Sequence, residues 1–199
     1  FGHFTNTATI ANVETVNFGS GADTITFASQ LSNAALNLGA GNDALTLGNF
    51  ANTATIQGVE TVTGGSDADT ITLTTILAKG SVDLGAGSDK LTLGNFANTG
   101  SIANIETLTG GSAADNLTVT AALSNASIDL GVGSDILTLK NFANSGTIAN
   151  VETILGGTGD ETLTLGSALT NTTRIDLGGG NDKLTLGDFA NVGSLTNVE

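Results

Sequence analysis

The sequence predicts an all-β fold: a parallel β-solenoid, of the β-roll or β-helix kind, in which about eight coils stack along one axis. A 46-residue unit recurs and opens with LGAGNDALTL, LGAGSDKLTL, LGVGSDILTL and LGGGNDKLTL, beginning at Leu38, Leu84, Leu130 and Leu177. Repeats of this length are typical of solenoids, in which each coil buries its apolar side against its neighbours. We expect one domain over residues 1–199, with further repeats of a longer protein beyond it.

The composition suits strands joined by tight turns. The chain has 28 glycines and no Pro, Cys, Met, Trp or Tyr. Its formal net charge of −14, from 19 acidic side chains against five Lys and Arg, leaves no basic patch to neutralise phosphates, which argues against nucleic acid and anionic membrane surfaces as partners. Without cysteine there are no disulfides or thiolate metal sites. No apolar run has membrane-spanning length, so we expect no membrane insertion.

Strands are predicted around a recurring Gly-Asp turn. The turn occurs twice per unit, at intervals of about 20 and 26 residues, which predicts coils of two lengths with two strands each. After each acid, two apolar positions flank a threonine, as in Leu45-Thr46-Leu47, which is the pattern of a half-buried strand. Farther along, longer coils place Phe where shorter coils place Leu, which predicts alternating Phe and Leu layers in a packed edge of the core: Phe50, Phe96, Phe142 and Phe189 against Leu31, Leu77, Leu123 and Leu169.

The acids of these turns carry the functional signal. Stacked coils would bring them into one file about 4.8 Å apart, where unit charges repel by roughly 1 kcal/mol in water and about 3.5 kcal/mol at an effective dielectric near 20. Ca²⁺ prefers hard oxygen ligands, so an ion held by carboxylates and glycine carbonyls between adjacent coils would turn repulsion into a cross-link. The candidate ligands are Asp23, Asp43, Asp69, Asp89, Asp115, Asp135, Asp160 or Glu161, and Asp182.

The segments GAGNDALTL, GAGSDKLTL, GVGSDILTL and GGGNDKLTL resemble the nine-residue G-G-x-G-x-D-x-U-x repeat of the RTX (repeats-in-toxin, hemolysin-type) family. The resemblance implies a calcium-binding β-roll exported by type I secretion, in a divergent 46-residue version with two coils per unit, as in large secreted adhesins or S-layer-like proteins. It implies that Asp23, Asp43, Asp89, Asp135 and Asp182 are ligands, with carbonyls near Gly19, Gly21, Gly39, Gly41, Gly85, Gly87, Gly131, Gly133, Gly178 and Gly180.

The chain departs from the family pattern in three respects. The family carries glycine-rich turns at both edges of its roll, whereas only one such edge is predicted here, and hence a single file of calcium ions. The turns ending at Asp69 and Asp115 lack the second glycine. The turn GGTGDE shifts its acid to Asp160 or Glu161.

One other interpretation of the turn aspartates stays open at this point, and a second column of acids needs its own. The turn aspartates could simply cap their own backbone, since Gly-Asn-Asp and Gly-Ser-Asp are good turn formers. A further acidic column recurs once per unit and is predicted to be a solvated face and not a ligand set: Glu14, Glu60, Glu106 and Glu152.

Together these features predict a structural, calcium-stabilised repeat region of an extracellular or cell-surface protein, such as an adhesin, an S-layer or a matrix-fibre component, and not an enzyme. The only histidine is His3, and repetition spreads side chains evenly instead of concentrating one catalytic constellation. The expected partners are calcium ions and, by end-to-end or lateral self-association, neighbouring repeats or copies of the chain. Two alternatives remain: an ice-binding solenoid that uses the threonine file, and a polysaccharide-active β-helix.

Overall fold

A computed structural model describes residues 2–199 of the protein. These residues form 21 β-strands and no helix, and therefore contain no helix that could cross a membrane. Strands alternate along the chain between two parallel sheets. The eleven-stranded sheet contains β1 (Thr7–Ile10), β3 (Thr24–Phe27), β5 (Ala44–Thr46), β7 (Thr61–Gly65), β9 (Ala78–Gly85), β11 (Thr99–Ala103), β13 (Asn116–Val119), β15 (Ile136–Leu139), β17 (Thr153–Gly157), β19 (Arg174–Gly178) and β21 (Ser194–Thr196).

The second sheet has ten strands, and each strand pairs in parallel with the strand two positions further along the chain. This connectivity makes a β-solenoid with two strands per turn, as the sequence predicts. The ten-stranded sheet contains β2 (Thr15–Asn17), β4 (Ala34–Asn37), β6 (Thr53–Gln57), β8 (Thr70–Leu73), β10 (Lys90–Thr92), β12 (Thr107–Gly111), β14 (Ala126–Gly131), β16 (Ser145–Ala149), β18 (Thr162–Leu165) and β20 (Lys183–Thr185).

The core lies between the two sheets and consists of aliphatic columns that run along the stack. Ile25, Leu45 and Val62 are in register on consecutive strands of the eleven-stranded sheet, and each is at most 1% exposed. On each of these strands, the residues on either side of the buried residue face outward and are mainly threonine. The predicted alternation of buried aliphatic and outward threonine positions is therefore confirmed.

The predicted count of eight coils is wrong, because each interval of about 26 residues hides an extra strand. Between Asp43 and Asp69 the chain forms three strands, β5, β6 and β7, of which β6 buries Ala54 and Ile56. A 46-residue unit thus makes five strands, or two and a half turns, and successive turns are 17, 20, 21 or 22 residues apart. Two sheets of eleven and ten strands give about ten turns and a length of roughly 48 Å.

Because a unit makes two and a half turns, equivalent residues of successive units lie in opposite sheets. Leu45 and Leu137 lie in the eleven-stranded sheet, whereas Leu91 and Leu184 lie in the ten-stranded sheet. We call the edge where the chain enters the eleven-stranded sheet the first edge, and the edge where it enters the ten-stranded sheet the second edge. Both edges and both faces therefore carry the same chemistry, displaced along the stack.

The prediction of a Phe and Leu edge to the core is correct for Leu and wrong for Phe. Leu31, Leu77, Leu123 and Leu169 are at most 5% exposed, whereas the four phenylalanines are 36–49% exposed. The rings of Phe50 and Phe96 lie outside the sheets, close to Gly48 and Gly94, which have no side chain to exclude them. The two residue types also do not alternate by layer, because each edge receives one of each per five turns.

Candidate metal centre

Each edge carries one file of side chains from residues that lie just before or close to the start of a strand. The files repeat every five turns in the order Leu, Asn, Asp, Asp, Glu, with Glu161 in place of one Asp. The first-edge file is Asn6, Asp23, Asp43, Glu60, Leu77, Asn98, Asp115, Asp135, Glu152, Leu169 and Asn191. The second-edge file is Glu14, Leu31, Asn52, Asp69, Asp89, Glu106, Leu123, Asn144, Glu161, Asp182 and Glu199.

Hydrogen bonds run along each file from the backbone of one turn to the side chain of the next. On the second edge, the N–H of Asn52 donates to Oδ1 of Asp69 over 2.9 Å. The N–H of Asp69 donates to Oδ1 of Asp89 over 2.7 Å. The N–H of Asp89 donates to Oε2 of Glu106 over 2.7 Å. Along this run each carboxylate therefore accepts a hydrogen bond from the backbone of the preceding turn, whereas the turn-former interpretation supposed bonds within one turn.

An asparagine precedes each run of acids in a file. Where a leucine lies one turn earlier, the asparagine side chain accepts a hydrogen bond from the backbone of that leucine. The N–H of Leu31 donates to Oδ1 of Asn52 over 3.0 Å. The amide Nδ2 of Asn52 donates to Oδ1 of Asp69 over 2.9 Å and to the Phe50 carbonyl over 2.7 Å. The side chain of Asn52 thus connects adjacent turns, and the same bonds recur at Asn98.

The acids of the Gly-Asp turns are buried, with exposures of 0 or 1%. One oxygen of each carboxyl accepts a hydrogen bond from an N–H group, as described above. The other oxygen is buried and has no hydrogen-bond donor in the described chain, and a buried polar atom without a partner costs free energy. The atoms concerned are Oδ2 of Asp23, Asp43, Asp69, Asp89, Asp115, Asp135 and Asp182, and Oε2 of Glu161.

Burial raises the pKa of several of these carboxyls. The pKa of Asp89 and of Asp135 rises to about 6, and that of Glu161 to about 7, with desolvation as the largest cause in each case. Hydrogen bonds to the carboxyl act in the opposite direction, and the charges of neighbouring acids in the same file add to the rise. The pKa values of Asp43 and Asp115 are also raised, chiefly by burial. An ionised file is therefore destabilising unless a cation compensates it.

The glycine-rich turns bring backbone carbonyls next to these carboxyls. Gly85 has φ of 86°, in the left-handed region, and its Cα approaches the carbonyl of Gly65 in the preceding turn so closely that no Cβ could fit. At Gly133 the space of a Cβ is bounded by Oδ2 of Asp135 at 2.9 Å and by the Ala113 carbonyl at 3.0 Å. Oxygen atoms of two turns thus surround the space that the absence of a side chain at the glycine leaves open.

The structure corrects the predicted arrangement of these acids in two ways. The aspartates do not form one file, because the extra strand in each unit moves successive pairs to opposite edges: Asp23 and Asp43 lie on the first edge, Asp69 and Asp89 on the second. In the turn GGTGDE, the buried member of the file is Glu161; Asp160 is exposed and accepts a bond from the N–H of Asn181.

The interpretation of the Glu column as a solvated face is also wrong for three of its members. Glu60, Glu106 and Glu152 are partly buried, and each accepts an N–H bond of 2.7–2.8 Å from the aspartate of the preceding turn. Their recurrence once per unit was visible in the sequence. The hydrogen bond of each glutamate with the aspartate of the preceding turn was not visible in the sequence, because it depends on the register of the extra strand in each unit.

The donor set fits calcium in its chemistry. Ca²⁺ binds six to eight hard oxygen ligands. The carboxylate oxygens that lack a hydrogen-bond donor and the carbonyl oxygens of the preceding turn are ligands of this kind. Among residues 2–199, no three His, Cys, Asp or Glu side chains come together. An ion would therefore be held by two stacked acids of one file and by backbone carbonyls, and not by a cage of carboxylates.

No protein-family model, no curated protein and no solved structure matches this chain. The resemblance to RTX repeats therefore rests on the turn segments alone and stays a prediction.

Proposed function

We propose that this chain is a structural solenoid segment of an extracellular or cell-surface protein, stabilised by calcium ions bound between adjacent turns at both edges. The observation that carries the proposal is the set of eight buried carboxyl groups, each with one oxygen that has no hydrogen-bond donor. One divalent cation would compensate two such groups at once, and carboxylate and carbonyl oxygens are the ligands that Ca²⁺ prefers.

The stacked glycine turns define where the ions would bind. The turns occur in four pairs, two on each edge, and each pair brings two acids into hydrogen-bonded succession. Within a pair, the carbonyls of the first turn lie against the glycines of the second. The proposed sites are Asp23 with Asp43, Asp69 with Asp89, Asp115 with Asp135, and Glu161 with Asp182.

The extracellular location and a role as an adhesin, S-layer or fibre component rest on the resemblance to RTX repeats. In that setting calcium outside the cell would favour the folded state, because the ions bind only where two turns are stacked. The proposal involves no catalysis by the chain.

Calcium titration of the metal-free chain tests the proposal. We expect the β-sheet circular dichroism signal and the melting temperature to rise with Ca²⁺ and to fall on addition of EGTA, while Mg²⁺, which demands a smaller octahedral site, has a weaker effect. Isothermal titration calorimetry would give the number of ions bound. A melting temperature that does not change between EGTA and millimolar Ca²⁺, together with no heat of binding, would contradict the proposal.

Matched variants locate the sites. In the double variant Asp69→Asn and Asp89→Asn, the amide oxygens can still accept the N–H bonds, but one pair of charged ligands is lost. We expect the calorimetric stoichiometry to fall by about one ion per chain. Asp67→Asn is the control, because Asp67 is an exposed acid of the same turn and lies outside the file. Equal effects of the two changes would mean that calcium binds through general surface charge.

One observation favours a second candidate function, ice binding. Three strands of the eleven-stranded sheet each present two outward threonines, and a fourth strand between them presents one, so hydroxyl groups form a two-wide array with rows about 4.8 Å apart. Such a regular array could order water. Thermal hysteresis and ice shaping by the purified chain would test it. The pairs are Thr7 with Thr9, Thr24 with Thr26, and Thr61 with Thr63.

A further inference from the structure

A shallow, open depression, called the groove below, crosses the outer face of the eleven-stranded sheet over β9, β11, β13 and the end of β15. Two of the five cationic side chains of the protein line it, Lys79 and Lys140, and no Asp or Glu does. Between the lysines lie hydroxyl and amide groups of Thr99, Ser101, Asn116, Thr118 and Thr120. The chain has a net charge of −14, so a groove whose charged lining residues are both cations is an exception to the general surface.

Both lysines break the repeat. Lys79 stands where the neighbouring units have Asn33 and Asn125, and Lys140 stands where other units have glycine, as at Gly94. The two positions are far apart in sequence and belong to different units, yet the fold places them in one groove. A departure from the repeat at two independent positions that meet in space indicates a local role beyond the repeat itself.

Lys79 also occupies a strained backbone position. It is the extra residue of a β-bulge between β9 and β11, and its φ of 57° lies in the left-handed region. Asn33 and Asn125 adopt the same conformation, which asparagine tolerates better than lysine. Strained residues and bulges often direct a side chain at a functional site. Here the bulge carries an ammonium group into the groove.

Neither lysine has an internal counter-ion. The single ion pair of the described residues joins Arg174 to Asp176, on another part of the sheet. The acid on β9, Asp83, lies outside the groove and accepts a 2.7 Å hydrogen bond from Nδ2 of Asn104. The two ammonium groups are therefore free to bind an external anion.

We propose that this groove binds a segment of an acidic polysaccharide, a chain of uronate sugars. β9 and β15 are three strand spacings apart, roughly 14 Å along the stack, and Lys140 lies about four residues further along the strand direction than Lys79. The two backbone positions are therefore separated by roughly 19 Å. That distance suits carboxylates on different sugars of one extended chain. The hydroxyl and amide groups between the lysines suit the sugar hydroxyls, which an acidic polysaccharide presents beside its carboxylates. The proposal is independent of calcium binding.

Binding of hexagalacturonate tests the proposal, with neutral maltohexaose as the comparison ligand. The titration is run without divalent cations, which uronates also bind, under conditions where circular dichroism shows the β-sheet signal. We expect hexagalacturonate to bind, with an affinity that falls as salt is raised, and maltohexaose not to bind. Absence of uronate binding, or equal displacement by millimolar sulfate, would overturn the proposal, the latter because the groove would be a general anion site.

Variants that restore the repeat make the test specific. Lys79→Asn and Lys140→Gly introduce the residues of other units, so the fold should be kept. Each should weaken binding about threefold, and the pair about tenfold or more. Lys90→Thr is the control: it removes a charge from the ten-stranded sheet, where its register neighbours are Thr70 and Thr107. Equal losses in the control would overturn the site, as would an analytical ultracentrifugation shift caused by the groove variants, which would indicate a second copy as the occupant.

Discussion

The backbone N–H of Asp69 donates a 2.7 Å hydrogen bond to Oδ1 of Asp89 in the next turn of the second-edge file. The same bond, also of 2.7 Å, joins Asp23 to Asp43 on the first edge. One carboxyl oxygen thus caps the neighbouring turn, whereas the other is buried without a donor. The capping role needs only an acceptor, but the second oxygen needs a proton or a cation. Substitution can separate these two requirements.

Asp89→Ala and Asp89→Asn should have different effects on the metal-free protein. Alanine leaves the buried N–H of Asp69 without an acceptor, which should lower the free energy of unfolding by about 1–3 kcal/mol. Asparagine keeps an acceptor and removes a charge whose burial is unfavourable, so its free energy of unfolding at pH 7 should equal or exceed that of the parent chain. Urea unfolding in EGTA measures both.

Asp67→Ala is the control for this pair of changes, because Asp67 is exposed. It should change the free energy of unfolding by less than about 0.5 kcal/mol. If Asp89→Ala were as mild as Asp67→Ala, the hydrogen bond from Asp69 would not be a significant part of the turn-to-turn stability.

The metal-free chain should become less stable as the pH rises. The pKa of Asp89 and of Asp135 is raised to about 6 in the folded state, above the value near 4 of an unfolded chain. The folded state then binds more protons than the unfolded state between these values, so stability is present below pH 4 and is lost as the pH rises through about 6. Melting temperatures measured from pH 3 to 8 in EGTA should therefore fall.

Two changes should remove part of this slope. Asp135→Asn takes one titrating group out of the file, and Ca²⁺ at neutral pH supplies the compensating charge that the protons supply at low pH. A metal-free chain that gained stability with pH across the same range would show that its buried carboxyls are already compensated by other groups.

The fold class follows from the alternation of aliphatic and threonine positions, but the number of turns does not. The segment at β6 contains Ala54 and Ile56 inside a run of small and polar residues, which is a weak strand signal beside Leu45-Thr46-Leu47. Its strand forms because neighbours above and below supply the hydrogen bonds and the core. A missed strand shifts every later residue by half a turn, which is why two files at two edges were predicted as one.

The composition of the files was only partly predictable for the same reason. The acidic turn residues stand out through their glycines, so Asp23, Asp43 and Asp89 were identified from sequence alone. Glu60 lies outside the recurring glycine-rich Gly-Asp turns, and only its position one turn above Asp43 reveals that it accepts the N–H of that residue. Burial of the aspartates likewise depends on stacking and has no local sequence signal.

Gly85→Ala and Gly179→Ala provide a matched test of the tight turns. At Gly85 a methyl group would meet the Gly65 carbonyl and require a φ of 86°, so we expect a loss of at least about 2 kcal/mol. At Gly179 a Cβ would meet no atom within 4 Å, so the free energy of unfolding should change by less than about 0.5 kcal/mol. Urea unfolding at fixed calcium compares the two, and equal effects would mean that the turn approach is looser than described.

Leu77→Ala and Phe96→Ala should separate the core from its edge. Both residues lie on the first edge in adjacent turns, but Leu77 is 0% exposed and Phe96 is 43% exposed. Removing the leucine side chain leaves a cavity between the sheets, which should lower the free energy of unfolding by about 2–5 kcal/mol. Removing the phenylalanine ring uncovers only the surface near Gly94, so its cost should stay near or below about 1 kcal/mol. Urea unfolding of both variants in the same buffer measures the two losses of free energy of unfolding. An equal or larger loss in Phe96→Ala would mean that the phenylalanines belong to the core.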